Sequence, residues 1–381
     1  MKRFYSLILL MFLAVSSAWA DSGLYLFGKE VSTTTTWENV EAKTFKDNAQ
    51  GWISYNHQTK TLKFYCVSIY ENDKTVIYNK GVEGLEVLFD GSCSLHSSNK
   101  VIRYDVATTL RGLAKSYVYL GSYEDEECIY SNQGGDDAPA LLTIADFPDL
   151  QMRSMHDYCI SYKRGGITIK DSHVKMEGSK GTIHGNYFNA YFSRMILEDC
   201  YFLGNYDTHA TEVVTYETAT KYNVMKQIEI IRASEYSGVR LNGEAILATD
   251  SRWNASTNTL TLNASVNASS NYTYPAAIEV EKPGITIDGG RYSFTGYHYG
   301  LYCRRFGTNA QPVSVRNITL SGPNAGIYSS DDISIGDAVN VFGIDYGIRG
   351  YGGSVTFCPT SNQTVNIQPL VTPSNPYNKF L

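Results

Sequence analysis

Thr168-Ile169-Lys170-Asp171-Ser172-His173-Val174-Lys175-Met176-Glu177-Gly178 holds two short alternating strands on either side of a polar bend, and it closes on a glycine. The pattern returns at Ile196–Gly204, Thr286–Gly296, Ser314–Gly322 and Ser334–Gly343. The apolar residue before each bend is Ile169, Leu197, Ile287, Val315 and Ile335, which gives steps of 28, 28 and 20 residues within the two blocks. Such a step suits one coil of a parallel β-helix, in which short strands meet at bends and each coil stacks on the next. The bend positions Asp171, Asp199, Gly289, Asn317 and Asp337 carry residues that tolerate left-handed backbone. The apolar residues beside them then point inward, because one coil cannot bury its apolar face and a stack can.

Leu85-Glu86-Val87, Tyr117-Val118-Tyr119 and Leu142-Thr143-Ile144 extend the series toward the amino terminus with less regular bends. No helical periodicity of useful length interrupts it. A longer repeat lies above the coils. Tyr55-Asn56-His57-Gln58-Thr59-Lys60-Thr61-Leu62 aligns with Trp253-Asn254-Ala255-Ser256-Thr257-Asn258-Thr259-Leu260. Upstream, Leu26–Val31 matches Leu241–Ile246, each with a glycine suited to a tight hairpin, and downstream Gly84–Val87 matches Gly284–Ile287. Each half therefore runs hairpin, aromatic-Asn-x-x-Thr-x-Thr-Leu, then coils, with a boundary near 206–225. The expected fold is all-β: a right-handed parallel β-helix, or β-solenoid, in two related segments, 21–215 and 216–381, able to stack into one rod.

The aromatic-Asn-x-x-Thr-x-Thr-Leu element followed by such coils resembles a group of secreted bacterial repeat proteins described as carbohydrate-binding β-helix or β-solenoid proteins. The resemblance implies export, a solenoid fold and a polysaccharide or cell-surface glycan as partner. It supplies no ligand-binding residues. The Thr-x-Thr-Leu element itself reads as structural, a turn feeding an edge strand at the cap of the solenoid.

The first twenty residues read as a secretory leader: Lys2 and Arg3, an apolar stretch from Leu7 to Val15, then Ala18-Trp19-Ala20. Cleavage is expected after Ala20, with the mature chain in the periplasm, on the surface or in the medium. The apolar stretch is shorter than the roughly 20 residues of a membrane span, and no later segment is apolar enough. Without the leader, 30 basic residues face 38 acidic ones. That balance disfavours nucleic acid and anionic membranes. Thirty Tyr against four Trp, with abundant Thr, Val and Ile, suits pleated surfaces. Seven Cys are widely spaced with no C-x-x-C pair, which argues against zinc. Export permits disulfides, while buried unpaired thiols serve equally well.

Candidate chemistry is sparse. Asp331-Asp332 is the adjacent carboxylate pair of the later coils, but the Asn-Thr-Asp and Gly-His-Gly that would accompany it in a polygalacturonase are absent. Glu124–Glu127 with Asp136-Asp137 lacks the alternating pattern of a calcium loop. Lys163-Arg164 and Arg304-Arg305 could supply a lyase base, with surface charge as the simpler account. None of the seven His forms a close ligand pair, and no metal or cofactor is expected. The sharpest binding candidate is Tyr297, Tyr299 and Tyr302 beside Arg304 and Arg305, since Tyr offers a flat apolar face with a polar tip. The function expected from these residues is noncatalytic glycan binding or adhesion. A polysaccharide lyase or glycoside hydrolase is the first rival, and a structural or protein-binding rod the second.

Overall fold

The computed structural model describes residues 22–31, 36–37, 51–124, 126–131, 140–162, 165–185, 193–203, 227–269, 276–304, 310–350, 354–358 and 365–369. These residues form a β-solenoid of mostly parallel sheets. The expected leader and the expected 206–225 boundary lie outside the described residues. Two compact units are present. One comprises the described residues up to Cys200 with 227–230; the other comprises 201–203 and the residues from Ile231 onward.

In the first unit each coil contributes one strand to each of three sheets. The first face carries Thr61–Tyr65, Leu85–Asp90, Thr108–Gly112, Leu141–Ala145, Gly165–Lys170 and Ser193–Glu198. The second carries Ser68–Glu71, Ser92–Ser97, Tyr117–Ser122, Asp149–Ser154 and Val174–Gly178. The third carries Ile77–Asn79, Ile102–Tyr104, Ile129–Ser131, Tyr158–Tyr162 and Gly181–Gly185. Parallel register turns the period-two alternation of every strand into columns running along the stack. On the first face Leu62, Val87, Leu110, Ile144, Ile169 and Leu197 are successive partners. On the third the column is isoleucine throughout, at Ile77, Ile102, Ile129, Ile160 and Ile183. Ile169 is fully buried. Burial of such a side chain stabilises by about 1.5–3 kcal/mol. Leu197 departs from expectation: it lies opposite Ile169 but is only half-buried, because its strand is the last of its sheet.

The second unit repeats the plan. Its first-face column is Leu260, Ile287, Val315, Ile335 and Phe357. The second-face column is Val266, Phe294, Leu320, Val341 and Ile367. The third-face column is Leu241, Ile278, Leu301, Ile327 and Ile348.

The corner between first and second faces sets the coil path. In the first unit Cys66, Gly91, Lys115, Asp146, Asp171 and Asp199 occupy it, all with φ between 37° and 71°. Each coil thus spends one left-handed residue at this corner, where Asn, Asp and Gly cost least. In the second unit Asn317 does the same at φ 52°. Two expected bend residues are corrected: beside Gly289 the left-handed positions are Gly290 and Arg291, and beside Asp337 it is Ala338.

Both units open on the same cap. Leu26 pairs with Lys29 across Phe27 and Gly28, and Leu241 pairs with Glu244 across Asn242 and Gly243. All four turn residues have positive φ, the two-residue hairpin that matches strand twist. The next hairpin sets Tyr55 against Leu62 and Trp253 against Leu260. The Asn56 side-chain oxygen accepts from the Gln58 and Thr59 amides, and that of Asn254 accepts from the Ser256 amide. Thr61 and Thr259 hydroxyls donate to the carbonyls of Thr59 and Thr257. The Asn-x-x-Thr-x-Thr element is therefore one hairpin loop used twice.

Candidate functional site

The outward positions of the third face carry the most chemistry. In the second unit Arg240, Glu279, Tyr302, Tyr328 and Arg349 follow one another in register. Tyr299 stands on the same strand as Tyr302, and the two rings are stacked at 5.9 Å. Tyr328 from the next coil lies 5.0 Å from Tyr299 and 5.5 Å from Tyr302, tilted by 38° and 35°. All three are half-buried. The exposed Arg349 sits over the Tyr328 and Tyr346 rings at 5.9 and 5.1 Å. Burial raises the Tyr302 phenol above its usual pKa, so it stays a neutral hydrogen-bonding group.

The structure brings two residues of the expected grouping together and places the others elsewhere. Tyr299 and Tyr302 come together. Tyr297 lies beside His298, edge-on at 4.5 Å. Arg305 lies outside the described residues. Arg304 is held by Glu279 at 2.8 Å and Glu281 at 3.0 Å. Tyr328 and Arg349 were missed, although a signal exists. Tyr299-Gly300-Leu301-Tyr302-Cys303, Ala325-Gly326-Ile327-Tyr328-Ser329 and Tyr346-Gly347-Ile348-Arg349-Gly350 are one repeated pentad. Its glycine is required by close packing, since a Cβ on Gly326 would stand 2.4 Å from Val341.

Beside the tyrosines lies a buried ionic network. Arg240 donates to Glu281 at 3.2 Å, and the Tyr236 hydroxyl donates to the same carboxylate at 2.7 Å. Lys282 donates to the carbonyls of Ala233 and Tyr236, both at 2.6 Å, and lies over the Tyr201 and Tyr236 rings. Burial raises Glu279 and lowers Lys282 from their ordinary pKa ranges. Glu279 and Glu281 form two carboxylates on one face, but each is bound by arginine and under 7% exposed. Both carboxylates are thus committed to arginines.

In the first unit the equivalent outward column is Tyr25, Tyr78, Arg103, Tyr130, Ser161 and His184. Tyr25 and Tyr78 stack at 5.7 Å, Arg103 covers Tyr78 at 4.4 Å, and Lys100 covers Tyr130 at 4.8 Å. Burial and a 2.6 Å hydrogen bond to Asp105 push the Tyr78 phenol up to about 12. On the second face His96 is packed among Tyr70, Tyr119 and Tyr123, with Ser94 and Tyr123 hydroxyls on its two nitrogens.

The remaining candidates have local partners. Asp331 accepts from the Asp332 amide at 3.0 Å, and Asp332 accepts from the Ser354 amide and hydroxyl at 2.8 Å. Those bonds hold the Asp332 carboxyl below its usual range. Glu126 and Glu127 face Lys100; Asp125, Asp136-Asp137 and Lys163-Arg164 lie outside the described residues. Among the described residues no cluster of three or more His, Cys, Asp or Glu could hold a metal ion, and no helix is long and apolar enough to cross a membrane. A cavity of about 310 Å³ beside the second unit's hairpin, lined by Ile246, Leu247 and Asp250, includes an Asp250–Arg252 ion pair at 2.8 Å. Comparison with protein-family models, curated proteins and solved structures finds no match to this chain.

Proposed function

We propose that this chain is an exported, noncatalytic glycan-binding protein whose carbohydrate docks on the outward third face of the second unit. The observation that carries the reading is the Tyr299–Tyr302–Tyr328 cluster with Arg349 beside it. Half-buried tyrosines combine an apolar ring for the C–H face of a sugar with a hydroxyl for its edge. Arginine adds fixed donors. Successive coils repeat such positions along the stack, so weak contacts gain by multivalency along a polymer. The carboxylates that a hydrolase would need are engaged elsewhere: Glu279 and Glu281 by arginines, Asp332 by Ser354. The leader-like first twenty residues and the resemblance to secreted solenoid proteins support export.

A glycan array probed with the purified chain tests the reading, followed by incubation of any captured glycan with and without calcium. Capture of a polysaccharide with no change in its chain length is expected. New reducing ends, or the ultraviolet absorbance of an unsaturated uronate, would replace binding with catalysis. Capture of nothing would leave the structural rod as the better account.

A further inference from the structure

We propose that Cys128 and Cys159 form a disulfide bond that ties two neighbouring coils of the first unit together. Ile129 and Ile160 are partners in a parallel pair, so Cys128 and Cys159, one residue earlier in each coil, stand at neighbouring positions on successive coils. Neighbouring strands lie roughly 4.8 Å apart, within the Cα separation of about 4.4–6.8 Å that disulfides span. Cys128 sits in a bend just ahead of its strand. Both residues are fully buried.

The other sulfurs are placed differently. Cys93 donates to the carbonyls of Phe64 and Asp90, and Cys200 donates to that of Ser172. Cys303 interacts with Ser329. Cys358 is exposed, and Cys66 is half-exposed at a corner.

The oxidant is a small-molecule disulfide. The thiolate of one cysteine attacks it, forming a mixed disulfide and releasing one small thiolate, and the second cysteine's thiolate then displaces the other. Two protein S–H bonds are lost and one S–S bond forms. The two protons are taken up by the two released thiolates, so the oxidant leaves as two thiols. Burial holds the Cys128 thiol well above its ordinary pKa, which disfavours the attacking thiolate once the coils have closed. The bond therefore forms during folding and is protected afterwards. It closes a covalent loop between Cys128 and Cys159.

The test is to refold the reduced chain in a buffer of oxidised and reduced glutathione, block free thiols with iodoacetamide without reduction, and map the digest by mass spectrometry. The expected result is one linked peptide pair containing Cys128 and Cys159, with the label on the other cysteines. The melting midpoint should rise by about 5 °C or more over the chain refolded with reductant. In Cys159→Ser the oxidised and reduced preparations should melt together. Label on both cysteines after oxidative refolding, or a link from either to another cysteine, overturns the proposal. The wild-type map alone decides the matter should the variant fail to fold.

Discussion

The outward third-face columns of the two units occupy the same register and do different things. Tyr25 and Tyr78 stand in the first unit where Arg240 and Glu279 stand in the second. The first pair is half-buried, and its rings stack on each other under the Arg103 guanidinium. The second pair is only 4% exposed, and the carboxylate and guanidinium there must be neutralised by Arg304 and Glu281. Farther along, Arg103 gives way to Tyr302, and Tyr130 corresponds to Tyr328. The coil dictates who meets whom, and the depth of each position dictates what chemistry the meeting needs. Stacked rings satisfy themselves at a surface, whereas buried charges demand partners.

The inward columns should respond alike in both units. Ile169→Asp and Ile287→Asp each place an unpaired charge at a fully buried position, at a cost of about 4 kcal/mol or more. Each should abolish the cooperative melt of its unit by circular dichroism. Leu197→Asp, at the half-buried end of the same column as Ile169, should cost much less; equal losses would mean that the stack continues past it.

The outward columns should diverge. Arg240→Ala leaves the Glu281 carboxylate without its 3.2 Å partner in a buried setting, at a cost of about 3–5 kcal/mol. Tyr25→Ala, at the equivalent position, loses a surface ring pair and should cost about 1 kcal/mol. Chemical denaturation of the two variants measures the contrast, and similar losses would remove the distinction of depth.

Asn56→Ala and Asn254→Ala break the same loop in the two units. Each loses the amide bonds that its side-chain oxygen accepts, worth about 1 kcal/mol by analogy with helix caps. Unequal effects would argue that the two caps carry different loads.

A weaker contrast concerns pH. His96 faces Tyr70, Tyr119, Tyr123 and Ser94, with Arg153 and Glu177 in its outward column. Burial lowers its pKa. The unfolded chain then binds the proton more tightly, so stability falls as pH drops through the ordinary His range near about 6.5. Glu279, facing Arg304, Glu281 and Arg240, has the opposite sign. Its pKa is raised by burial, so its contribution is fullest below the unfolded carboxylate value and is lost as pH rises through the folded one. Hydrogen exchange between pH 7 and pH 5 should show protection falling in the first unit, and His96→Gln should remove that slope. Glu279→Gln should remove a slope of opposite sign in the second.

Much of the fold is legible in the residues because a solenoid writes its geometry locally. Alternation fixes which side chains point inward, and Asp171, Asp199 and Asn317 mark corners that need left-handed backbone. Ala338 and Arg291 occupy the same conformation without a compositional mark, so those corners were misplaced by a residue or two. The repeated Asn hairpin announced both caps, while the antiparallel strand Gln227–Arg232 beside Val174–Gly178 had no repeat to reveal it. Of the proposed binding cluster, Tyr299 and Tyr302 are neighbours in sequence and were visible. Tyr328 joins them only through register one coil later. Glu279, Glu281 and Arg240 are separated by up to about forty residues, and only the pairing of Ala276–Val280 with Tyr236–Leu241 on one side and Tyr299–Cys303 on the other brings them to Arg304.

The most direct test of the account is a calorimetric titration of the array-captured glycan against three chains of verified thermal stability. Changing Tyr299, Tyr302 and Tyr328 together to Ala should weaken binding by about tenfold or more, the product of a few ring contacts of about 0.5–1.5 kcal/mol each. Changing Tyr25 and Tyr78 to Ala should leave the affinity of the wild-type chain within about twofold. Retained affinity in the first variant, or a loss confined to the second, would contradict the assignment of the glycan face.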